Sequence, residues 1–233
     1  MDISPELSLA IPLYNEEGNV ERVVGNLTAA LDKEGVSYEI ILVDNGSTDK
    51  TRILVDALCN GNPRLRPVHL DQNAGYGGGI QRGLAECAGR YIGYTAADDQ
   101  VRAEDVVRIF TTLKQHDVDL CKARRVVRHD GLARKIVARV YALIFPLFFR
   151  VSSRDIHGWP RIFKREWLRR MALFSMDWFI DAEIMVKAEK LGLRVLEVPV
   201  VLHRRSWGRS KIRMSTILEF AVNLTRYRLG GRL

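Results

Sequence analysis

The feature that most constrains the fold is a repeated alternation, over the first 120 residues, of short apolar runs and helical patterns. Each β-branched run is followed by a segment with helical spacing of its apolar residues, and the runs lie at 7–13, 38–44, 65–70 and 90–95. This alternation predicts an α/β fold with a mostly parallel sheet flanked by helices. Ligands bind to such sheets beyond the carboxyl ends of the strands. We therefore expect the functional residues in the loops at 12–16, 44–49, 71–79 and 96–100.

The same patterns predict where the helices lie and how many domains the chain forms. In the first half, helices are predicted at 16–31, from a Ser47–Asp49 cap to about Cys59, at 75–87 and at 103–116. In the second half we expect a helix or broken helix pair at 131–149, a helix at 181–190, a strand at 194–202 and an amphipathic C-terminal helix at 212–227. No Pro- or Gly-rich linker separates the two halves, so residues 1–233 are predicted to form a single domain.

Charge is unevenly distributed along the chain, although the net charge is only +8. Residues 1–120 carry 11 Lys/Arg against 19 Asp/Glu, whereas 121–170 carry 14 against 3 and 201–233 carry 8 against 1. The basic second half should attract phosphate groups. We expect no nucleic-acid partner, because such surfaces combine basic residues with several exposed aromatic ones and the basic loop at 203–211 contains only Trp207.

No stretch of the sequence is long and apolar enough to cross a bilayer, which takes about 20 residues. The nearest is 140–149 (VYALIFPLFF), which Pro146 interrupts and two arginines bracket. The segment 131–150 could lie on a membrane surface with its arginines at the head groups, or form a core or oligomer-interface helix. The N-terminus has no signal-peptide pattern, and the three cysteines are far apart. We therefore expect a cytoplasmic protein, peripheral at the cytoplasmic face of a membrane.

Carboxylates follow two of the predicted strands. Asp44 ends the second strand, where it could accept hydrogen bonds from a nucleotide base or ribose, or simply terminate the strand. Asp98 and Asp99 follow the fourth strand in the sequence TAADDQ. Together with Gln100 they could bind a hard cation that also contacts a diphosphate, or form an ordinary acidic turn before a helix.

Two further segments could contact phosphate. The glycine cluster GYGGG (75–79) could bring backbone amides close to phosphate at a helix start, although it is not a Walker A loop. The segment RRSWGRSK (204–211) places Arg205, Arg209 and Lys211 around a glycine. These side chains could bind phosphate, or they could belong to a solvated basic loop.

Together these segments resemble glycosyltransferase family 2, whose members have a GT-A fold, and within it the dolichyl-phosphate and polyprenyl-phosphate sugar synthases. The resemblance extends from Leu7 to about Tyr227. Its marks are IPLYNEE (11–17), VDNGSTDKT (43–51), NAGYGGGIQRGL (73–84), AADDQ (96–100), RDIHGWPRIF (154–163), EVPV (197–200) and RSWGRSK (205–211). It implies a Rossmann-like GT-A domain with a nucleotide-sugar-binding half at 1–120 and an acceptor-binding half at 121–233.

The resemblance also implies roles for individual residues. Asp98 with Gln100 would hold Mg²⁺ or Mn²⁺ against the diphosphate, and Arg205 and Lys211 would close over the phosphates. The base and ribose would be held by Pro12, Tyr14, Glu16 and Asp44. The acceptor phosphate would be met by Arg124, Arg128 and Arg134.

The sequence departs from the family pattern at two positions. Ala96 stands where the acidic motif usually begins with Asp, and Asn45 stands where the strand-two motif has a second Asp. The first departure removes one metal or ribose contact, for which Asp99 could compensate.

Three functions are compatible with this sequence. The leading hypothesis is inverting transfer of a sugar from a UDP- or GDP-linked donor to a polyprenyl or dolichyl phosphate, whose oxygen is already anionic near neutral pH. Transfer to a hydroxyl of a saccharide, peptide or small metabolite would need a base, for which Asp181 and Glu183 are the candidates. Ala96 motivates the third hypothesis, an inactive nucleotide-sugar- or lipid-binding scaffold. A membrane-protein partner or a homo-oligomer is compatible with each of them.

Overall fold

In the computed structural model the described residues are 4–127, 151 and 153–207. The helices predicted at 131–149 and 212–227 lie outside these ranges. The same holds for four of the candidate phosphate-binding residues, which are Arg128, Arg134, Arg209 and Lys211.

The first half of the chain alternates strands and helices as the sequence predicts. The strands are β1 (Leu7–Leu13), β2 (Tyr38–Asn45), β3 (Leu65–Leu70) and β4 (Tyr91–Tyr94). The helices are α1 (Val20–Lys33), α2 (Thr51–Gly61), α3 (Gly75–Glu86) and α4 (Ala103–Gln115). Every residue of β2 is buried, as expected for a strand covered by helices on both faces of the sheet.

Helix α1 begins at Val20, four residues later than the predicted start at residue 16 and at the first apolar residue of its helical spacing. Residues before it form a turn, in which Asn15 has a positive φ of 51° and the carbonyl of Glu16 accepts the N–H groups of Asn19 and Val20. Residues 16–19 lie outside the helix, because this turn is held by side chains from a different loop, described below.

The second half contains two strands and a helix that the sequence patterns do not predict. Its elements are β5 (Leu120–Val127), β6 (Arg161–Lys164), α5 (Glu166–Met171), α6 (Ile180–Lys190) and β7 (Val195–Val201). Helix α6 and strand β7 are confirmed to within one residue at each end. Strands β5 and β6 contain Lys122 and Arg161, which are fully buried although basic residues usually indicate an exposed position.

Within the described residues, the seven strands form one sheet in the order β3-β2-β1-β4-β6-β5-β7. Strand β6 runs antiparallel to both of its neighbours, and the other neighbouring pairs are parallel. The predicted mostly parallel sheet flanked by helices is therefore confirmed. The register pairs Leu13 with Asp44, so the carboxyl ends of β1 and β2 reach the same edge of the sheet.

Two hydrophobic cores lie on opposite faces of this sheet. On one face, alternate residues of β1, such as Leu9 and Ile11, pack with α1 and α4. On the other face, Ala10 of β1 and Ile41 of β2 pack with α3 and α6. Because successive side chains of a strand point to opposite faces, one strand supplies both cores. Within the described ranges, no helix combines the length and the apolar character that a membrane span requires.

Candidate active site

The loops that follow β1 and β2 are tied together at the carboxyl edge of the sheet. Asn15 donates its backbone N–H to Ser47 Oγ at 3.0 Å and accepts the N–H of Thr48 at 2.8 Å. Glu16 donates its N–H to Thr51 Oγ1 at 2.9 Å. Short hydroxyl side chains thus satisfy backbone groups of the neighbouring loop. The edge predicted to hold a base and ribose, with Pro12 and Tyr14 beside Glu16, is therefore formed by two interlocked loops.

Asp44 is fully buried at this edge. Its Oδ1 accepts the backbone N–H of Ser47 at 3.0 Å, which is the strand-terminating turn that the sequence left open as one interpretation. Its Oδ2 is buried without a hydrogen-bond partner. His69, its cross-strand neighbour, brings Nδ1 to 3.6 Å from this oxygen and Nε2 to 2.7 Å from Asp56. A buried unpaired carboxylate oxygen is costly, so Asp44 is suited to accept an N–H or O–H group of a ligand.

Asp98 is the buried carboxylate after β4, with 4% of its surface exposed. Its Oδ2 lies 2.8 Å from Arg205 Nη2, and its Oδ1 accepts the N–H of Gln100 at 3.3 Å. Burial raises the pKa of Asp98 to about 6, although the charge of Arg205 acts in the opposite direction. The structure thus places Arg205 directly on the carboxylate for which the sequence predicts a metal ion.

Asp99 and Gln100 contact the segment 203–207. Asp99 Oδ2 accepts hydrogen bonds from Arg22 at 2.9 Å and from Ser206 at 2.7 Å. The amide of Gln100 donates to the carbonyl of His203 at 3.0 Å and accepts from Arg205 at 3.3 Å. Both side chains therefore hold this segment over Asp98, and their predicted contacts with cofactor and metal stay predictions.

A divalent cation fits this edge only if a substrate shares in binding it. Among the described residues, no group of three or more His, Cys, Asp or Glu side chains could hold a metal ion. Magnesium is commonly bound through one or two carboxylates together with substrate phosphates and water. Asp98 can supply one such carboxylate. Asp99 contacts Arg22 and Ser206 through one oxygen, and its compensation for the carboxylate missing at Ala96 stays a prediction.

The glycine cluster at the start of α3 packs against another part of the chain. Gly78 donates its N–H to the carbonyl of Met176 at 3.0 Å, and a Cβ at Gly77 would collide with the carbonyl oxygen of Ser175. Asn45 donates to the carbonyl of Gly75 at 2.9 Å and accepts the N–H of Ala74 at 3.0 Å. These glycines therefore allow a close approach of the 175–176 backbone. Asn45 uses both halves of its amide here, which a carboxylate could not do.

A second cluster surrounds Asp181 at the start of α6. Its Oδ1 accepts the hydroxyl of Tyr94 at 2.5 Å and lies 3.5 Å from the guanidinium of Arg161, and its Oδ2 lies 3.4 Å from His157 Nδ1. Burial raises the pKa of Asp181, but the charge of Arg161 and the contacts with His157 and Tyr94 outweigh burial and lower it below its usual value. Asp181 is therefore an ionised carboxylate inside a network of donors.

Arg161 is fully buried in this cluster. It donates to the backbone carbonyls of Gly158, Ile156 and Asp181. The sequence singles out the segment 154–163 only as a family mark and assigns no role to Tyr94, His157 or Arg161. The available signal was Arg161 itself, a basic residue directly before apolar Ile162 and Phe163.

The remaining predicted residues of this half have different surroundings. Glu183, a candidate base, accepts the backbone N–H groups of Phe174 and Ser175 and pairs with Lys187 at 2.6 Å, so it fixes the 174–175 turn. Arg124 is half-buried on β5, and its contact with an acceptor phosphate stays a prediction.

A third buried cluster lies beside Arg124. Lys122 pairs with Glu197 at 3.2 Å, and Arg125 forms two hydrogen bonds of 2.7 Å to Asp155. These pairs connect β5 to β7 and to the segment that precedes β6.

Residues 8–174 match the model of glycosyl transferase family 2. The chain is 31% identical to the dodecaprenyl-phosphate galacturonate synthase of Rhizobium johnstonii, an alignment that covers 95% of this chain and 66% of that protein. It is 29% identical to the dolichyl-phosphate beta-glucosyltransferase of Dictyostelium discoideum, over 83% of this chain and 65% of the relative. The chain thus spans slightly less than two thirds of the length of either relative.

Solved structures share the fold. The glucosyl-3-phosphoglycerate synthase from Mycobacterium tuberculosis, in complex with Mn²⁺, uridine diphosphate and glucosyl-3-phosphoglycerate, superposes with a TM-score of 0.74 at 21% identity. That alignment covers 97% of this chain and 80% of the other. The mannosyltransferase from Pyrobaculum calidifontis, in complex with GDP-Man and Mn²⁺, gives a TM-score of 0.63 at 24% identity over 90% of this chain and 59% of the other. These neighbours confirm the predicted GT-A fold.

Proposed function

The chain belongs to glycosyltransferase family 2, and we propose that it transfers a sugar, with inversion, from a nucleotide-sugar donor to a polyprenyl or dolichyl phosphate. Two relatives that align with most of this chain carry names of this kind, a dodecaprenyl-phosphate galacturonate synthase and a dolichyl-phosphate beta-glucosyltransferase. The observation that carries the proposal is the presence of two buried clusters of charged residues. One surrounds Asp44 and Asp98, and the other surrounds Asp181 and Arg161.

The donor would bind at the Asp44–Asp98 edge. Asp44 Oδ2 is buried without a hydrogen-bond partner and is suited to a base or ribose donor group. Asp98 would hold Mg²⁺ or Mn²⁺ together with the diphosphate, and the bound cation would neutralise charge that develops on the leaving nucleotide. Arg205 pairs with Asp98. When a cation binds Asp98 in its place, the guanidinium of Arg205 would contact the phosphates of the donor instead. The roles of Glu16, Tyr14 and Pro12 belong to the same proposal.

The acceptor would bind beside Asp181, where positive charge is concentrated. Arg161 and Lys122 are fully buried, and Arg125 is mostly buried beside Asp155. A phosphate oxygen is anionic near neutral pH, so positioning by such groups would contribute more than removal of a proton. Arg124 is the described member of the basic set predicted to meet this phosphate.

Transfer to a hydroxyl acceptor is the second candidate, and one observation favours it. Asp181 is ionised, because its pKa is lowered, and an ionised carboxylate is what proton removal from a hydroxyl requires. Its two oxygens face Tyr94, Arg161 and His157. We prefer the phosphate acceptor because these contacts leave Asp181 better placed to orient neighbouring groups than to reach a substrate.

The remaining parts of the proposal concern organisation and location. Residues 1–120 and 121–233 would act as donor-binding and acceptor-binding halves of one domain. The protein would work peripherally at the cytoplasmic face of a membrane, where its lipid acceptor resides. A membrane-protein partner or a second copy of the chain could hold it there.

A panel of donors and acceptors tests the proposal. Purified protein is mixed with UDP- or GDP-sugars, with and without Mg²⁺ or Mn²⁺, and with a short polyprenyl phosphate or a saccharide. A ligand that binds only the folded state raises the unfolding temperature by mass action. We expect a metal-dependent rise with one nucleotide, and nucleotide release only when polyprenyl phosphate is present. Release with the saccharide alone would favour the hydroxyl acceptor, and no rise with any nucleotide would favour an inactive scaffold.

A further inference from the structure

Tyr76, in the first turn of α3, is held between the segments that lead to the two clusters of the candidate site. On one side Asn45, the chain neighbour of Asp44, donates to the carbonyl of Gly75 at 2.9 Å. On the other side the backbone approaches so closely that a Cβ at Gly75 would collide with the carbonyl oxygen of Met176. The start of α3 is therefore clamped between the end of β2 and the segment that leads into α6.

The ring of Tyr76 is oriented by Trp178. The two rings stack with their centroids 4.2 Å apart and their planes inclined by 13°. Both side chains are half-buried, and Trp178 lies three residues before Asp181 in the chain. Stacking of this kind restricts the rotation of both rings. The direction in which Tyr76 presents its hydroxyl is therefore fixed by the segment that also carries Asp181.

The hydroxyl of Tyr76 is accessible to a ligand. Among the described residues, buried side-chain atoms without a hydrogen-bond partner occur in Tyr38, Asp44, His69 and Trp167. Tyr76 does not belong to this group, and no side chain or backbone group of the described residues forms a hydrogen bond with its hydroxyl. The oxygen is therefore open to solvent at the surface of a recess, with its capacity to donate and to accept still available.

The charges that act on Tyr76 belong to both clusters. Burial raises the pKa of Tyr76 well above its usual value, and the carboxylates of Asp181 and Asp98 add to this, whereas Arg161 and Arg125 oppose it. The hydroxyl therefore stays neutral through the physiological range. Because the interaction between charges weakens with distance, the influence of both carboxylates indicates that Tyr76 lies near both clusters.

From this geometry we propose that Tyr76 is a substrate-binding residue whose hydroxyl forms a hydrogen bond with a hydroxyl group of the transferred sugar. The inference rests on the proposed function, which places the diphosphate at Asp98 and the acceptor beside Asp181. In an inverting displacement the leaving group and the nucleophile lie on opposite sides of the anomeric carbon, so the sugar lies between the two clusters. A neutral phenol donates and accepts, as a sugar hydroxyl does, and the two are therefore complementary.

The test separates binding of the sugar from binding of the nucleotide. UDP, UDP-glucose, GDP and GDP-mannose are each titrated, with Mn²⁺ present, into wild type and Tyr76→Phe by isothermal titration calorimetry. The phenylalanine keeps the ring that stacks on Trp178 and removes only the hydroxyl. We expect Tyr76→Phe to bind the nucleoside diphosphate within about twofold of wild type and its sugar conjugate about threefold to tenfold more weakly, as the loss of one hydrogen bond implies.

Tyr38→Phe is the matched control. Tyr38 begins β2, at the opposite end of that strand from Asp44, and it packs in the core on the other face of the sheet. Loss of its buried hydroxyl should leave the affinities for both kinds of ligand within about twofold of wild type, because distant sites act independently.

The outcomes distinguish this inference from the proposed function. A loss of affinity in Tyr76→Phe that is confined to the nucleotide sugar supports contact between Tyr76 and the sugar. An equal loss for nucleotide and nucleotide sugar, or no loss for either, would overturn it. The titration needs no acceptor, so a wild-type chain that binds a nucleotide sugar but transfers nothing to polyprenyl phosphate would refute the proposed acceptor, and the binding data would still decide the role of Tyr76. A wild-type chain that binds no nucleotide sugar would refute both.

Discussion

The two clusters of the candidate site are built in different ways. The Asp44–Asp98 edge gathers the ends of neighbouring parallel strands, and short neutral side chains such as Ser47 and Thr51 link its loops. The Asp181 cluster instead joins segments far apart in the chain through buried charges, with Arg161 at its centre. A buried charge is tolerated only when it is paired. We therefore expect substitutions in the first cluster to affect mainly function, and substitutions in the second to affect stability as well.

The largest effect on stability should come from Arg161→Met. The change leaves Asp181 buried without its cation and leaves three backbone carbonyls without a donor. Breaking a buried pair from one side typically costs about 3–5 kcal/mol. Urea unfolding should show this loss. The exposed Arg154→Met is the control, and we expect it to stay within about 0.5 kcal/mol of wild type. Equal effects of the two variants would contradict the proposed difference between the clusters.

The largest effect on function alone should come from Asp98→Asn. Removal of the carboxylate that would hold the cation should reduce turnover about 100-fold or more, since metal ions supply several kcal/mol of transition-state stabilisation. Stability should change less than in Arg161→Met, because burial already disfavours the ionised form of Asp98 and the side chain of its partner Arg205 is partly exposed. The neighbouring Asp99→Asn is the matched control. It weakens only the contacts with Arg22 and Ser206, so its turnover should fall less than about tenfold. A larger loss of turnover in Asp99→Asn than in Asp98→Asn would indicate that Asp99 holds the metal ion.

A smaller loss of stability is expected for Gly77→Ala at the start of α3. The added methyl group would collide with the carbonyl oxygen of Ser175, and such overpacking costs about 1–3 kcal/mol. Gly25→Ala in α1 is the matched control, since a Cβ there meets nothing within 4 Å. It should stabilise the protein by about 0.5–1 kcal/mol, the usual gain from alanine in a helix. Thermal unfolding of both variants measures the difference. Similar unfolding temperatures for the two variants would show that the backbone at 175–176 shifts to accommodate the added methyl group.

The smallest expected effect is the change in protein stability with pH that Lys122 causes. Burial lowers the pKa of Lys122 to about 8, and the charge of Arg161 adds to this although Glu197 opposes it. The unfolded chain keeps the proton to about pH 10.4. The contribution of Lys122 to the free energy of unfolding is therefore fully present above that pH, and it is lost as the pH falls through about 8. Relative to Lys122→Met, wild type should gain about 1 kcal/mol between pH 8 and pH 9 in urea unfolding. If the difference in unfolding free energy between wild type and Lys122→Met is the same at pH 8 and pH 9, Lys122 keeps its proton in the folded protein.

Much of the fold and of the Asp44–Asp98 edge could be predicted from the sequence. The alternation of apolar runs and helical spacing located β1 to β4 and the helices between them, because each of these elements has its own local period. The carboxylates Asp44 and Asp98 follow strands directly, and the ends of parallel strands converge at one edge. Their placement at one edge of the sheet therefore follows from their positions along the chain.

The sequence could not predict the contacts of the Asp181 cluster, for a physical reason. Strands β5 and β6 contain Lys122 and Arg161, whose burial depends on partners that only the folded chain brings near. Tyr94, His157 and Asp181 meet although 24 and 87 residues separate Asp181 from its two partners. Local patterns determine which segments become strands and helices. Only the tertiary structure decides which charges can be buried together, because the cost of burying each one is offset by a partner distant in sequence.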